Sequence, residues 1–159
     1  MRTKKNQKGF SLIELLIVVA IILIIAAIAI PNLLRSRMAA NEASAVGSLR
    51  TVNTAAVTYS TTYGIGYPST LAKLGPAASA TSATADLVDS VLAGGVKSGY
   101  SFTFTAGAAD AAGNINTYTL TATPTAVGTT GQRYFFTDQS GVIRANATAA
   151  ADVNSTPIS

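Results

Sequence analysis

The sequence contains two features that could take part in chemistry: the peptide bond after Gly9 and the carboxylate of Glu14. Gly9 precedes an apolar run of 21 residues, 10–30, in which Glu14 is the only charged side chain. A carboxylate at the centre of a membrane helix costs about 2.5–3.5 kcal/mol, and less near an end, so Glu14 is a candidate functional residue that needs a cationic partner. A small residue before the run, rather than after it, favours cleavage at Gly9 with the apolar segment kept in the mature chain.

Composition excludes most other kinds of site. The chain has no cysteine and no histidine, which rules out disulfides, cysteine-based zinc sites and Cys-His or Ser-His nucleophiles. The other acids are scattered, although we predict that Asp86 and Asp89 share one face of a short helix, and no spacing favours paired acid-base catalysis. We therefore predict a protein that is not an enzyme, with no catalytic residue, no metal site and no cofactor.

A helix long enough to cross a bilayer must position Glu14. At about 1.5 Å per residue, the run 10–30 spans the hydrocarbon core as a helix. Four basic residues flank its N-terminal side, while the longer C-terminal part is poor in charge, which predicts an N-in, C-out orientation. These residues are Arg2, Lys4, Lys5 and Lys8. They account for the whole formal net charge of +4, so the side chains after Gly9 sum to zero and the basic pI mostly describes the leader.

Two other interpretations of the apolar run stay open at this point. An ordinary signal peptidase could cut at residues 27–29, which read AIA, but Glu14 and the 16 uncharged residues after it disfavour a conventional signal peptide. An unprocessed single-span anchor explains the hydrophobicity of the run. It does not explain the Gly9-Phe10 junction or Glu14.

Residues 8–14 read KGFSLIE and resemble the type III signal of type IV pilins and type II secretion pseudopilins. The resemblance implies that a membrane-embedded prepilin peptidase cuts after Gly9 and methylates the new N-terminus at Phe10. It also implies that Glu14, the fifth residue after the cut, pairs with the terminal amine of a neighbouring subunit during assembly. Such pairing would compensate the burial of both charges and fix the axial register between subunits.

The resemblance leads us to predict a structural subunit, a major type IV pilin, whose filament serves adhesion, motility or DNA uptake. The alternative is a type II secretion pseudopilin that forms a periplasmic pseudopilus, and a third class is a membrane-anchored binding module that never polymerises. The implied partners are other copies of the chain, the prepilin peptidase/methyltransferase, an assembly ATPase and inner-membrane platform proteins, with DNA binding left open. The expected location is the bacterial inner membrane before assembly and the extracellular filament after it.

A single helix from about residue 10 to residue 63 is the first predicted element. Pro31 removes one helical hydrogen bond and is expected to kink this helix rather than end it. Beyond Pro31, apolar residues at steps of three and four form a narrow stripe on one face, and polar residues occupy the other faces. The stripe consists of Ala45, Leu49, Val52, Ala56, Tyr59 and Tyr63, and the other faces carry Glu42, Ser48, Arg50, Asn53 and Thr54.

The rest of the chain is predicted to form a connector and a sheet. The connector contains a helical segment at 85–92, and alternating residues at 100–105 and 118–123 predict half-buried antiparallel strands. Residues 133–137 and 142–145 predict a hairpin. The predicted fold is α+β: a long N-terminal helix packs in its second half against a C-terminal antiparallel sheet of three to four strands, as in pilins. The predicted parts are a leader 1–9, a membrane and filament-core segment 10–30, an amphipathic continuation 31–63, a connector 64–99 and a head with its tail 100–159.

Two weaker signals lie near the C-terminus. Asn146 and Asn154 begin acceptor patterns for N-glycosylation, which an exposed polar tail explains equally well. Because the related pseudopilins bind calcium through C-terminal loop carboxylates, Asp138 beside Ser140, or Asp152, is an alternative cation ligand. The sequence Asp-Gln-Ser-Gly that begins at Asp138 is also typical of a plain turn.

Overall fold

A computed structural model describes residues 9–158, so the basic leader side chains and Ser159 lie outside the described residues. The chain divides into two compact units, of which the first ends at Ser36 and the second begins at Arg37. A long helix, α1, spans Leu12–Tyr63 and contributes to both units. Pro31 lies inside α1, so the helix continues beyond the proline. The kink expected at Pro31 stays a prediction.

The first unit is an apolar stretch of α1 without packing partners of its own. The large apolar side chains between Phe10 and Leu33 are exposed, and Phe10 itself is 79% exposed. Among the described residues, α1 alone is long and apolar enough to cross a membrane, by a criterion of length and composition that core helices and signal sequences also satisfy. Such a surface must be buried in lipid or in other protein to be stable.

The second unit combines the rest of α1 with an antiparallel sheet. Its other helical elements are a 3₁₀ turn at Leu71–Leu74 and a single-turn helix, α2, at Ser90–Ala93. The strands follow one another in the order β1 to β6, at Val96–Lys97, Tyr100–Ala106, Tyr118–Pro124, Tyr134–Asp138, Arg144–Asn146 and Thr156–Pro157. The predicted α+β class is confirmed.

The predicted strand number of three to four is too low, because the sheet described within residues 9–158 has six strands. The two additional strands, β1 and β6, are edge strands of two residues each. Two residues cannot show an alternating pattern, so the sequence contains no signal for them. The hairpin strand predicted at 142–145 is observed as β5 at Arg144–Asn146.

The apolar stripe of α1 packs against the sheet as predicted. Leu49, Val52 and Tyr59 are buried in one core cluster with residues of the strands and of the connector. Because side chains alternate along a strand, Tyr100, Phe102, Leu120 and Ala122 all face this core, while the hydroxyl residues between them face outward. Tyr63, the last residue of α1, is partly buried against the same cluster.

The helix predicted at 85–92 is wrong in its first half. The carboxylate of Asp89 caps α2 by accepting a hydrogen bond from Leu92 N at 2.9 Å, so the helix begins only at Ser90. Asp86 has φ of 54°, a left-handed conformation outside any helix. Asp86 and Asp89 therefore do not share a helix face, and Asp89 instead forms an ion pair with Lys97 at 2.9 Å.

Candidate processing and assembly site

The helix start places Glu14 in the first turn of α1. Ser11 occupies the cap position, and its carbonyl oxygen accepts a hydrogen bond from Leu15 N at 3.3 Å. The carboxylate of Glu14 accepts a hydrogen bond from Ser11 N, with 2.9 Å between Ser11 N and Glu14 Oε2. This is the backward half of a capping box, and the carboxylate also interacts favourably with the positive end of the helix dipole.

The peptide bond between Gly9 and Phe10 lies before the helix and is open to solvent. Both residues are exposed and outside any regular element. A Cβ atom added to Gly9 would have no neighbouring atom within 4 Å. The fold therefore gives no steric reason for glycine at this position. A preference for glycine would have to come from another molecule that recognises this junction.

The carboxylate of Glu14 is exposed on an otherwise apolar helical surface. Within residues 9–158, the ion pairs join Lys97 to Asp89 and Arg133 to Glu42, and neither involves Glu14. The cation that a membrane-embedded carboxylate requires must then come from the leader, from the amine released by processing, or from another molecule.

The N-terminal segment matches a known family. Residues 4–30 match the family described as "Prokaryotic N-terminal methylation motif". The type IV wide pilus major component PilA4 of Thermus thermophilus is 66% identical over 38 residues, which are 24% of this chain and 29% of that protein. This N-terminus is similar to that of a type IV pilin. The resemblance recognised in residues 8–14 is thereby confirmed.

The similarity to the pilin is confined to this segment. The aligned residues span less than a third of the length of the Thermus thermophilus protein. No solved structure matches the chain. The head that follows this N-terminal segment is therefore understood from its own packing and hydrogen bonds.

A partly buried ion pair anchors α1 to the start of β4. The side chain of Glu42 is only 10% exposed, and its Oε2 accepts a hydrogen bond from Arg133 Nε at 2.8 Å. Its other oxygen, Oε1, accepts from the backbone of Gln132 at 2.8 Å and of Arg133 at 3.1 Å. The expectation that Glu42 lies on a face other than the buried stripe is wrong, because Glu42 is buried. Its partners lie about ninety positions away in the chain, so no local pattern indicates them.

These contacts determine the protonation of Glu42. Burial by itself raises the pKa of the carboxyl group, because it disfavours the charged form. The hydrogen bonds from Gln132 N and from the backbone and guanidinium of Arg133, together with the positive charge of Arg133, outweigh this effect and hold the pKa below its usual value. Glu42 is thus ionised at neutral pH and binds helix to sheet.

Asn53, which the sequence pattern puts on a face other than the apolar stripe, also joins α1 to the sheet through hydrogen bonds. Its side-chain nitrogen donates to Thr137 Oγ1 at 2.9 Å, and its oxygen accepts from the hydroxyl of Tyr118 at 3.0 Å. Thr137 is fully buried and Tyr118 nearly so. Because a one-turn slip of the helix would leave these groups unpaired, the network fixes the register of α1 on β3 and β4.

Replacing Tyr118 with phenylalanine should destabilise the head by about 0.5–1.5 kcal/mol, because the acceptor oxygen of Asn53 loses its donor while the ring packing is kept. Urea unfolding of the full chain in detergent, followed by tyrosine near-UV circular dichroism, measures the change. Tyr134→Phe is the matched control, since no hydrogen bond within residues 9–158 involves its hydroxyl. Equal midpoints for the two variants would contradict the assigned role of Asn53.

The structure gives different environments to the candidate glycosylation and cation-binding residues near the C-terminus. Asn146 Oδ1 accepts hydrogen bonds from Thr148 and Ala149, whereas Asn154 is exposed in a turn. Asp138 accepts from Ser140 N at 2.9 Å, as in a plain turn. In the part of the chain that the structure describes, no group of three or more acidic, histidine or cysteine residues could hold a metal ion.

Proposed function

We propose that the chain is a major subunit of a type IV pilus, cut after Gly9, methylated at Phe10 and assembled through Glu14. The observation that supports this most strongly is the exposed carboxylate of Glu14, unpaired by any cation of the described residues, on an apolar helix directly after a methylation motif. The open junction at Gly9, where nothing in the fold demands glycine, supports processing at that bond.

The physical mechanism of assembly follows from the exposed apolar face. In the inner membrane, lipid covers residues 10–30. In the filament, the same surface is covered by the helices of neighbouring copies, and each contact joins two different faces, so that addition of subunits continues without closure. Pairing of Glu14 with the amine at Phe10 of a neighbour selects one axial register among many apolar alternatives, because other registers leave both charges unpaired in an apolar medium.

The proposed partners and parts follow from this mechanism. The leader 1–9 is removed by the prepilin peptidase/methyltransferase, residues 10–30 form the filament core, and 31–63 with the connector 64–99 carry the head 100–159. A cytoplasmic ATPase and an inner-membrane platform protein drive the transfer from membrane to filament. The family is structural, and the chain is proposed to work without catalysis.

Mass spectrometry of the N-terminal peptide from filaments sheared off intact native cells tests the proposal. We expect a peptide that begins at Phe10 and is one methyl group heavier, abundant in the sheared fraction. A methylated Phe10 found only in membranes would favour the pseudopilin. A chain that keeps residues 1–9, or that begins after residue 30, would contradict the proposed processing and the role of Glu14.

A further inference from the structure

We draw no further inference here: the strongest candidate, the outer edge of β2 at residues 103–106, which within the described residues 9–158 the two-residue strand β1 does not reach, carries no proposal because nothing in the structure shows what covers it.

Discussion

A Glu14→Ala chain is expected to insert into the membrane and to be cut after Gly9, yet to leave roughly a hundredfold less filament than the unaltered chain. The physical reason is the loss of one partner of the proposed charge pair between Glu14 and a neighbour's terminal amine, which costs about 3–5 kcal/mol because the other charge would stay buried and unpaired. Removing the carboxylate also makes the membrane segment more apolar, so insertion should improve rather than fail. Immunoblots of the sheared and membrane fractions measure both effects.

Glu14→Gln separates the two roles that the structure allows for this side chain. Glutamine still offers an oxygen to Ser11 N, which Glu14 Oε2 accepts from at 2.9 Å, so the cap of the helix is kept. Only the charge is lost. We expect Glu14→Gln to fail in assembly almost as severely as Glu14→Ala. Normal filaments from Glu14→Gln would show that helix capping, rather than pairing with a neighbour, is what assembly requires of this residue.

The parts of the fold that could be predicted from the sequence are those whose signals are contiguous. The membrane-length run and KGFSLIE motif lie within residues 8–30, and the stripe from Ala45 to Tyr63 repeats at a helical period over five turns. The strands β2 and β3 alternate over seven residues each, so their inward faces are determined locally. Each of these signals can be recognised without knowing which segment packs against it.

The features that were missed depend on partners distant in the chain. Glu42 and Asn53 have ordinary polar positions on the helix, and nothing near them in sequence indicates the backbone of Gln132 or the hydroxyl of Thr137. The edge strands β1 and β6 exist because β2 and β5 offer them free hydrogen-bonding groups. The sequence pattern predicts Asp89 inside a helix, whereas its side chain caps the first turn of α2. A local pattern could not distinguish a residue within a helix from the capping residue that precedes it.

Loss of the Glu42 carboxylate should have the largest effect of any single polar change in the second unit. Glu42→Ala removes three hydrogen bonds, one of which is the ion pair with Arg133, and should cost about 2–3 kcal/mol of unfolding free energy. The figure stays below that of a fully buried pair because the Arg133 side chain is 46% exposed and can be hydrated when its partner is lost. All six tyrosines lie at or after Tyr59, so their near-UV circular dichroism follows unfolding of the head in the full chain.

The pH dependence distinguishes the charge of Glu42 from its packing. Because the pKa of Glu42 is lower in the folded chain, its contribution to stability is complete above the ordinary carboxyl range and is lost as the pH falls through the folded value. Glu42→Gln should therefore be about 1–2 kcal/mol less stable than the unaltered chain at pH 7. The difference should shrink steadily below about pH 4.5, as the unaltered carboxyl group becomes neutral like the amide. Unfolding curves of both chains in detergent at several pH values measure this convergence. A stability difference that persists unchanged in acid would mean that the shape of the side chain, rather than its charge, holds α1 against β4.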